Sequence, residues 1–417
     1  MVDAPSDRCY IFGMITITGK YNSADVYVTG YEDLGESCYA QILSYVNSAA
    51  SKGGRIAIMP DTHAGVGCVI GFTQKITDRV VPNLVGVDIG CAMLVQKLQP
   101  DVQIDLKNLD KIIHRDIPSG MAHRKKLHKF HKNVDLDELV ANVNRDKLLF
   151  SVGSLGGGNH FIELDTDAEG YKYIVIHSGS RHLGTEVAKY HQDLAFRHQS
   201  TLIKEEHERI VKQCTESGHK DDIEAELKKF DAEYDNVPRH LSYLTGSLME
   251  DYLHDMRIAQ NFAWWNREAM LDVIDTGLGI KRGDIVEKFC TVHNYIDVDE
   301  MIIRKGAISL KKDEIAIIPM NMRDGSLIVK GFGNEAVNCS GPHGAGRLMS
   351  RSDAKQQLTM EEFKKSMEGI YTTSVSTATL DEAPGAYKPV DAILANLGPM
   401  GEVVNTIKPI YNFKAGE

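Results

Sequence analysis

The chain of 417 residues contains no apolar run approaching the ~20 residues that cross a bilayer. Its opening segment, MVDAPSDRCYIFGM, has neither the basic flank nor the apolar centre of a secretory signal, so a cytoplasmic location is expected. Cysteine is sparse and scattered: Cys9, Cys38, Cys68, Cys91, Cys214, Cys290 and Cys339. An odd number with no C-x-x-C pair argues against a disulfide framework and a structural zinc ribbon, while leaving single cysteines available as metal ligands. A positive balance is also missing. The formal net charge is -11, which on its face argues against a partner rich in phosphate. Neither the P-loop nor the dinucleotide glycine fingerprint occurs. What is present, 42% hydrophobic and 25% charged residues, is the balance of a soluble globular protein with a sizeable core. The length suits one large domain or two ordinary ones.

The charge is not evenly spread. Between Lys111 and Asn133 stand Lys111, Arg115, Arg124, Lys125, Lys126, Lys129 and Lys132 against one acid, Asp116, with His123, His128 and His131 interleaved. Such a strip is either a solvated face or a phosphate-binding track on an acidic protein.

The first stretch reads as strands, YIFGMITITGK and ADVYVTGYE, from their β-branched and aromatic alternation. Residues 36–51 carry helical spacing. GRIAIMPDTHAGVGCVIGF reads as strand, turn, strand, and VVPNLVGVDIGCAMLV as a strand interrupted by a glycine-bounded turn. Residues 199–236 are highly charged and helix-forming, as expected of a surface helical hairpin, and 248–275 form a long amphipathic helix. The last third returns to short strands and glycine turns, with helices near 359–369 and 389–396. No regular alternation of strand and helix runs through the chain. The expected class is α+β, one compact domain over 1–417 with a helical excursion over 199–275.

The chemistry is concentrated in short polar segments set among glycines. They are Asp61-Thr62-His63, Val87-Asp88-Ile89-Gly90-Cys91, Gly156-Gly157-Gly158-Asn159-His160-Phe161, Ile176-His177-Ser178-Gly179-Ser180-Arg181, Val292-His293-Asn294-Tyr295 and Pro342-His343-Gly344-Ala345-Gly346-Arg347. Each places a ligand or nucleophile at a strand end or tight turn. Thiolate, imidazole and carboxylate together suit a transition divalent cation such as Mn²⁺, Zn²⁺ or Fe²⁺ better than Mg²⁺ or Ca²⁺. Asp88 and Cys91 flank Gly90, so one turn can present both. Cys91 is open to three roles: nucleophile, buried inert thiol or ligand. The nearby acid disfavours the thiolate that a nucleophile needs, whereas a metal stabilises it, so the ligand role is preferred. The other cysteines read as packing residues. The run Gly156-Gly157-Gly158 either brings backbone N–H groups to a phosphate or is a plain turn.

Taken together and in this order, VGVDIGCAM, LGGGNHFIE, HSGSRHLG, HNY, RKGAIS, HGAGRLMSR and DEAPGAYK resemble the RtcB RNA ligases, over about Arg55 to Lys414. The resemblance implies a centre of two Mn²⁺ ions on Asp88, Cys91, His160, His177 and His293, and a covalently guanylylated His343. It implies GTP contacts at Asn159, Phe161, Glu163, Ala345, Tyr387 and Lys414, with Arg181 and Arg347 placed to meet phosphates. The implied reaction joins an RNA 3′-phosphate or 2′,3′-cyclic phosphate end to a 5′-hydroxyl end through an RNA-ppG intermediate, with archease as a possible activating partner.

Two departures from the family pattern stand out. After Ile317-Ile318-Pro319 the family has a small Gly-Ser-Met-Gly-like loop, where this chain has Met320-Asn321-Met322-Arg323-Asp324-Gly325. The segment after Cys91 is short and rich in Lys and His. Both mark a divergent branch, with RNA repair open to it beside tRNA splicing. A phosphoesterase or nuclease on the same scaffold would keep the ligands without needing His343 or Lys414. A non-catalytic RNA-binding protein would tolerate losing the ligands. All of these residues are present.

Overall fold

The computed structural model describes residues 13–234 and 237–415. Cys9 and the start of the first expected strand lie outside the described residues. The fold is α+β, as expected, and rests on two large sheets. One has six strands in the order Ile15–Thr18, Ser23–Val26, Ile56–His63, Ile70–Lys75, Ile302–Lys305, Asn294–Asp297. The other runs Ile285–Val292, Ala92–Leu98, Lys172–Ser178, Phe161–Thr166, Gly401–Lys414, Gly325–Gly331, Ile315–Asn321, with Tyr371–Thr372 paired beside Gly401–Lys414.

The inner strands of the second sheet are buried on both faces, which is why Ile174-Val175-Ile176 and Met93-Leu94-Val95 are continuous apolar runs instead of alternating ones. One face is covered by the helix Gly246–Leu278. Its buried stripe of Met249, Tyr252, Met256, Ala259, Phe262, Asn266, Met270 and Ile274 recurs every three or four residues. Gly279 ends this helix in the left-handed conformation that favours glycine.

The helical excursion starts earlier than expected. A single helix runs Arg181–Glu216, so it begins in the HSGSR segment and not near residue 199. Its first half carries a core stripe of Leu183, Val187, Ala188, His191 and Ala195 that ends at Gln199, and the helix itself runs on without a break into the charged second half. The second half and the helix Ile223–Tyr234 form the expected surface hairpin, laced by Lys204–Glu208, Lys212–Glu216 and Lys228–Glu224.

The last third also holds more than short strands. Gly401–Lys414 is a 14-residue strand between Phe161–Thr166 and Gly325–Gly331. Its register sets Lys414 opposite Phe161 and Asn412 opposite Glu163, which carries the end of the described chain into the middle of the molecule. Among the described residues no helix is long and apolar enough to cross a membrane.

Candidate functional site

Asp88 and Cys91 arrive on one tight turn. Cys91 N–H donates to the Asp88 carbonyl at 3.2 Å, and Gly90 sits at φ +72°, where a side chain is strained. The strand Ala92–Leu98 follows at once and fixes the turn at the sheet end. His177 closes the neighbouring strand, His160 immediately precedes the next, and His293 follows Ile285–Val292. Five residues that are far apart in sequence therefore meet at one sheet end. They form two trios that share the thiol: Asp88, Cys91 and His160, and Cys91, His177 and His293. Within each trio the ligand atoms lie within 4.8 Å of one another.

The donor set fits a metal. Nδ1 of His160 lies 2.9 Å from the Leu155 carbonyl, and Nδ1 of His177 lies 3.2 Å from that of Asn159. A ring that donates through Nδ1 turns its Nε2 lone pair inward. His177 Nε2 then faces His293 Nε2 at 2.9 Å, while His293 Nδ1 is buried without a partner. With the His177 proton on Nδ1, its Nε2 presents a lone pair toward His293 Nε2, and a cation shared between the two rings would take both Nε2 lone pairs with the His293 proton on Nδ1.

Burial favours the neutral forms of His293, His177 and Cys91. Burial, then the neighbouring His343, lowers the His293 imidazole to about 3. Burial and His293 push His177 well below its ordinary range. Burial, then the Asp88 carboxylate, drives the Cys91 thiol well above its usual value, so the thiolate forms here only with a cation beside it. Burial also opposes ionisation of Asp88, but His160 outweighs it and holds the carboxyl below its normal range.

His343 stands next to this cluster. Its ring centroid is 5.1 Å from that of His293, yet it joins neither trio. Its Nδ1 lies 2.6 Å from Oδ2 of the fully buried Asp61, and the same oxygen accepts from the backbone N–H of His343 at 3.0 Å and of Gly344 at 3.3 Å. Asp61 thus fixes both ring and backbone, and leaves Nε2 as the free nitrogen. His63 lies near, with ring centroids 6.4 Å apart.

A cleft of about 240 Å³, open to solvent, runs from this ring. Asn159, Phe161, Glu163, Ala345, Tyr387 and Lys414, expected as one set, all line it together with His343. So do Pro319, Met320, Asn321 and Met322, which places the divergent segment in the cleft wall. In the same cleft, Glu163 accepts from Asn412 Nδ2 at 2.5 Å. Burial pushes its carboxyl up to about 7, against the pull of Asn412 and Lys414. Lys414, Tyr387 and Arg347 converge on Glu382, a buried acid.

A second cleft opens on the Asp88 and His160 side of the cluster. It is also lined by Gly120, His123, Lys147, Ser154, Arg181 and His182. The Arg181 guanidinium lies against Gly156, where a Cβ would come within 1.9 Å of Nη1. The glycine run therefore makes room for an arginine; the space a phosphate would need beside Gly156 is filled.

The basic strip divides. Lys125, Lys126 and Lys132 are exposed, but Arg124 is half-buried and donates to the Asp116 carbonyl at 3.0 Å. Lys129 pairs with Asp272 at 2.7 Å and Arg115 with Asp116 at 2.7 Å. Several of its charges are thus spent within the fold. Of the cysteines expected to pack, Cys38 and Cys68 are buried, whereas Cys214, Cys290 and Cys339 are partly exposed.

Two residues at the site had no assigned role in the sequence. Asp61 stands in the Asp61-Thr62-His63 segment, but its contact with His343 spans 282 positions. Glu382 lies in the DEAPGAYK segment, where only Tyr387 was assigned.

The profile of the family described as tRNA-splicing ligase RtcB matches residues 44–149 and 136–415. The RNA-splicing ligase RtcB of Escherichia coli (strain K12) is 30% identical over 400 aligned residues, covering 86% of this chain and 90% of that protein. The tRNA-splicing ligase RtcB of Aeropyrum pernix is 26% identical, covering 85% of this chain and 86% of its own length. The RNA-splicing ligase RtcB2 of another Escherichia coli strain is 26% identical over 86% of this chain and 88% of its own. By the extent of the profile match and by these relatives, the chain belongs to the RtcB family.

Proposed function

We propose that the chain is an RNA ligase that uses GTP and two Mn²⁺ ions to join 3′-phosphate or 2′,3′-cyclic phosphate ends to 5′-hydroxyl ends through a guanylylated His343. The names of the relatives support RNA ligation. The observation that carries the finer reading is the His343 ring, held through Nδ1 by Asp61 at the junction of the metal trios and the cleft.

Asp88, Cys91 and His160 would hold one ion, and Cys91, His177 and His293 the other. Such ions neutralise crowded phosphate charge and fix in-line geometry. The mixed sulfur, nitrogen and oxygen donors suit Mn²⁺ among other transition ions. The cleft takes the nucleotide with its base toward Glu163 and Lys414 and its α-phosphate at His343.

The Nε2 lone pair of His343 forms the bond to the α-phosphorus, and the bond to the bridging oxygen breaks as pyrophosphate leaves. Asp61 keeps the Nδ1 proton in place and offsets the positive charge that the ring acquires. A 3′-phosphate oxygen of the RNA then displaces the imidazole, which gives RNA-ppG and restores His343. The 5′-hydroxyl displaces GMP in turn. The second cleft, with Arg181, Lys147 and His182, would bring the RNA end to the opposite side of the cluster.

GTP radiolabelled at the α-phosphate, mixed with the protein and Mn²⁺ and run on a denaturing gel, tests the reading. The wild type should carry covalent label. His343→Ala should carry none, hold metal normally, and still seal a supplied RNA-ppG end. An unlabelled wild type with every divalent metal tried would remove the ligase mechanism and leave a phosphoesterase on this scaffold.

A further inference from the structure

Glu382 stands behind the cleft wall and does not line it, yet four of the residues that do line it converge on its carboxylate. Oε2 accepts from Lys414 Nζ at 2.5 Å and from the Tyr387 hydroxyl at 2.5 Å. Oε1 accepts from Arg351 Nη1 at 2.8 Å and from Arg347 Nη1 at 3.2 Å. Glu382 is 2% exposed. Burial alone would favour its neutral form, but Lys414 and Arg351 outweigh that and hold the carboxyl down at about 2. The charge is therefore permanent, and both oxygens are saturated. The four donors come from three parts of the chain: the HGAGRLMSR segment, the APGAYK segment and the end of the last strand.

We infer that Glu382 is the positioning residue of the base-reading end of the cleft, and that through Lys414 it selects a purine with a carbonyl oxygen at ring position 6. This rests on the reading that the cleft holds GTP. An ammonium has three N–H donors and no acceptor. Glu382 engages one of them, which aims the remaining two and fixes Nζ 5.8 Å from the Phe161 ring. A 6-carbonyl can accept from that ammonium. A 6-amino group cannot, and it leaves a desolvated charge facing a donor. The same carboxylate takes the Tyr387 hydroxyl, so the ring, with the Arg347 guanidinium 5.2 Å from its centroid, is held in one orientation. One buried acid thus sets both the edge reader and the aromatic wall.

The test compares three nucleotides by equilibrium calorimetry: GTP, inosine triphosphate, which keeps the 6-carbonyl, and 2-aminopurine riboside triphosphate, which lacks it. In Glu382→Gln the affinity for GTP and for inosine triphosphate should fall about tenfold, the size of one charge-assisted hydrogen bond. Affinity for the 2-aminopurine nucleotide should fall at least about threefold less, because it loses only the Tyr387 wall that all three nucleotides share. Lys414→Met should give the same pattern, and adding Glu382→Gln to it should change little more. Glu382→Asp, which keeps the charge, should recover part of the loss, with metal content and melting temperature near wild type. Equal weakening of all three nucleotides would mean a merely structural role and would overturn the inference, as would no change at all. Should Glu382→Gln fail to fold, the Glu382→Asp and Lys414→Met proteins decide: if Lys414→Met weakens GTP no more than it weakens the 2-aminopurine nucleotide, the inference falls. A wild type that binds GTP with this selectivity but takes no covalent label sinks the ligase mechanism and leaves the assignment of Glu382 standing. A wild type that binds no GTP sinks both.

Discussion

The two clefts that flank the cluster of Asp88, Cys91, His160, His177 and His293 treat charge in opposite ways. In the His343 cleft, buried acids saturate the donors around them: Asp61 takes three N–H groups, and Glu382 takes four donors. In the Asp88 cleft, Arg181 donates to neutral partners, the Ser154 hydroxyl and the Gly120 carbonyl, and Lys147 is exposed. A pre-compensated cleft suits a small ligand of defined shape, because its groups are already ordered before binding. Cations with neutral partners suit a polyanion, whose phosphates supply the missing charge. The net charge of -11 hides this difference, since it averages a surface over which the local balance changes sign.

The strongest way to break this comparison is to neutralise the second cleft alone. Arg181→Gln should lower the joining of 3′-phosphate to 5′-hydroxyl RNA on the order of a hundredfold, the usual loss when one oriented donor is removed from a developing phosphate charge. Labelling from GTP should stay near wild type. If labelling falls in parallel with joining, the two clefts are not separate.

Asp61→Asn probes the other side. The amide can still accept from the backbone N–H groups, but it no longer carries the charge that holds the His343 Nδ1 proton. Covalent labelling should slow by about 10- to 100-fold while metal content is unchanged, as when the partner that orients a histidine is lost. A labelling rate within twofold of wild type would leave Asp61 as a backbone clasp.

Glu163 gives a gentler test, by pH. Ionised, it offers a base edge two acceptor oxygens; protonation leaves it one acceptor and adds an O–H that opposes the edge's donors, and its carboxyl is raised to about 7. GTP affinity should therefore climb as pH rises through about 7 and level off above it, by at most about tenfold per unit on the lower side. The same shift acts on folding with the opposite sense. The folded state keeps this proton to a higher pH than the unfolded chain, so its contribution to stability is present in acid and is lost as pH rises through about 7. Glu163→Gln should bind GTP more weakly and without the slope. A slope that persists in that variant assigns the titration to another group.

These contrasts were legible in the sequence to different depths. Four of the five candidate ligands could be seen because Asp88, Cys91, His160 and His177 stand in or beside glycine-containing turns at strand ends, and turn chemistry is local; His293 has no glycine near it and showed only as a polar residue after a strand. Their division into two trios around Cys91 could not, since it depends on which strand ends neighbour one another in the sheet. Asp61 was visible as a polar residue in an apolar strand, but its role exists only through a contact with a turn near the other end of the chain. Glu382 was harder still, because nothing local distinguishes an acid that four distant donors will surround from one that water will. The helix boundary was misplaced for a related reason. Composition changes near residue 199, while the core-facing period that defines the helix begins at Arg181. Charge content marks where a helix leaves the core, not where it starts.

The basic strip carries the smallest expected effect and sharpens the comparison furthest from the metal. Lys125 and Lys126 are exposed, whereas Arg124 is tied to the Asp116 carbonyl and packs near Gly153. Neutralising all three at once would mix a surface effect with a folding one, so they are best separated. Changing Lys125 and Lys126 to Ala should leave the melting temperature and the labelling from GTP unchanged. If the strip guides RNA toward the second cleft, the log–log salt dependence of RNA affinity should become shallower by about 0.7 for each lost contact with a single strand. Arg124→Ala should instead lower stability, by about 1–3 kcal/mol if the Asp116 carbonyl loses its partner, with little effect on the salt slope. An unchanged slope in the double lysine variant makes the strip a solvated face and confines the RNA-facing cations to Arg181, Lys147 and their neighbours.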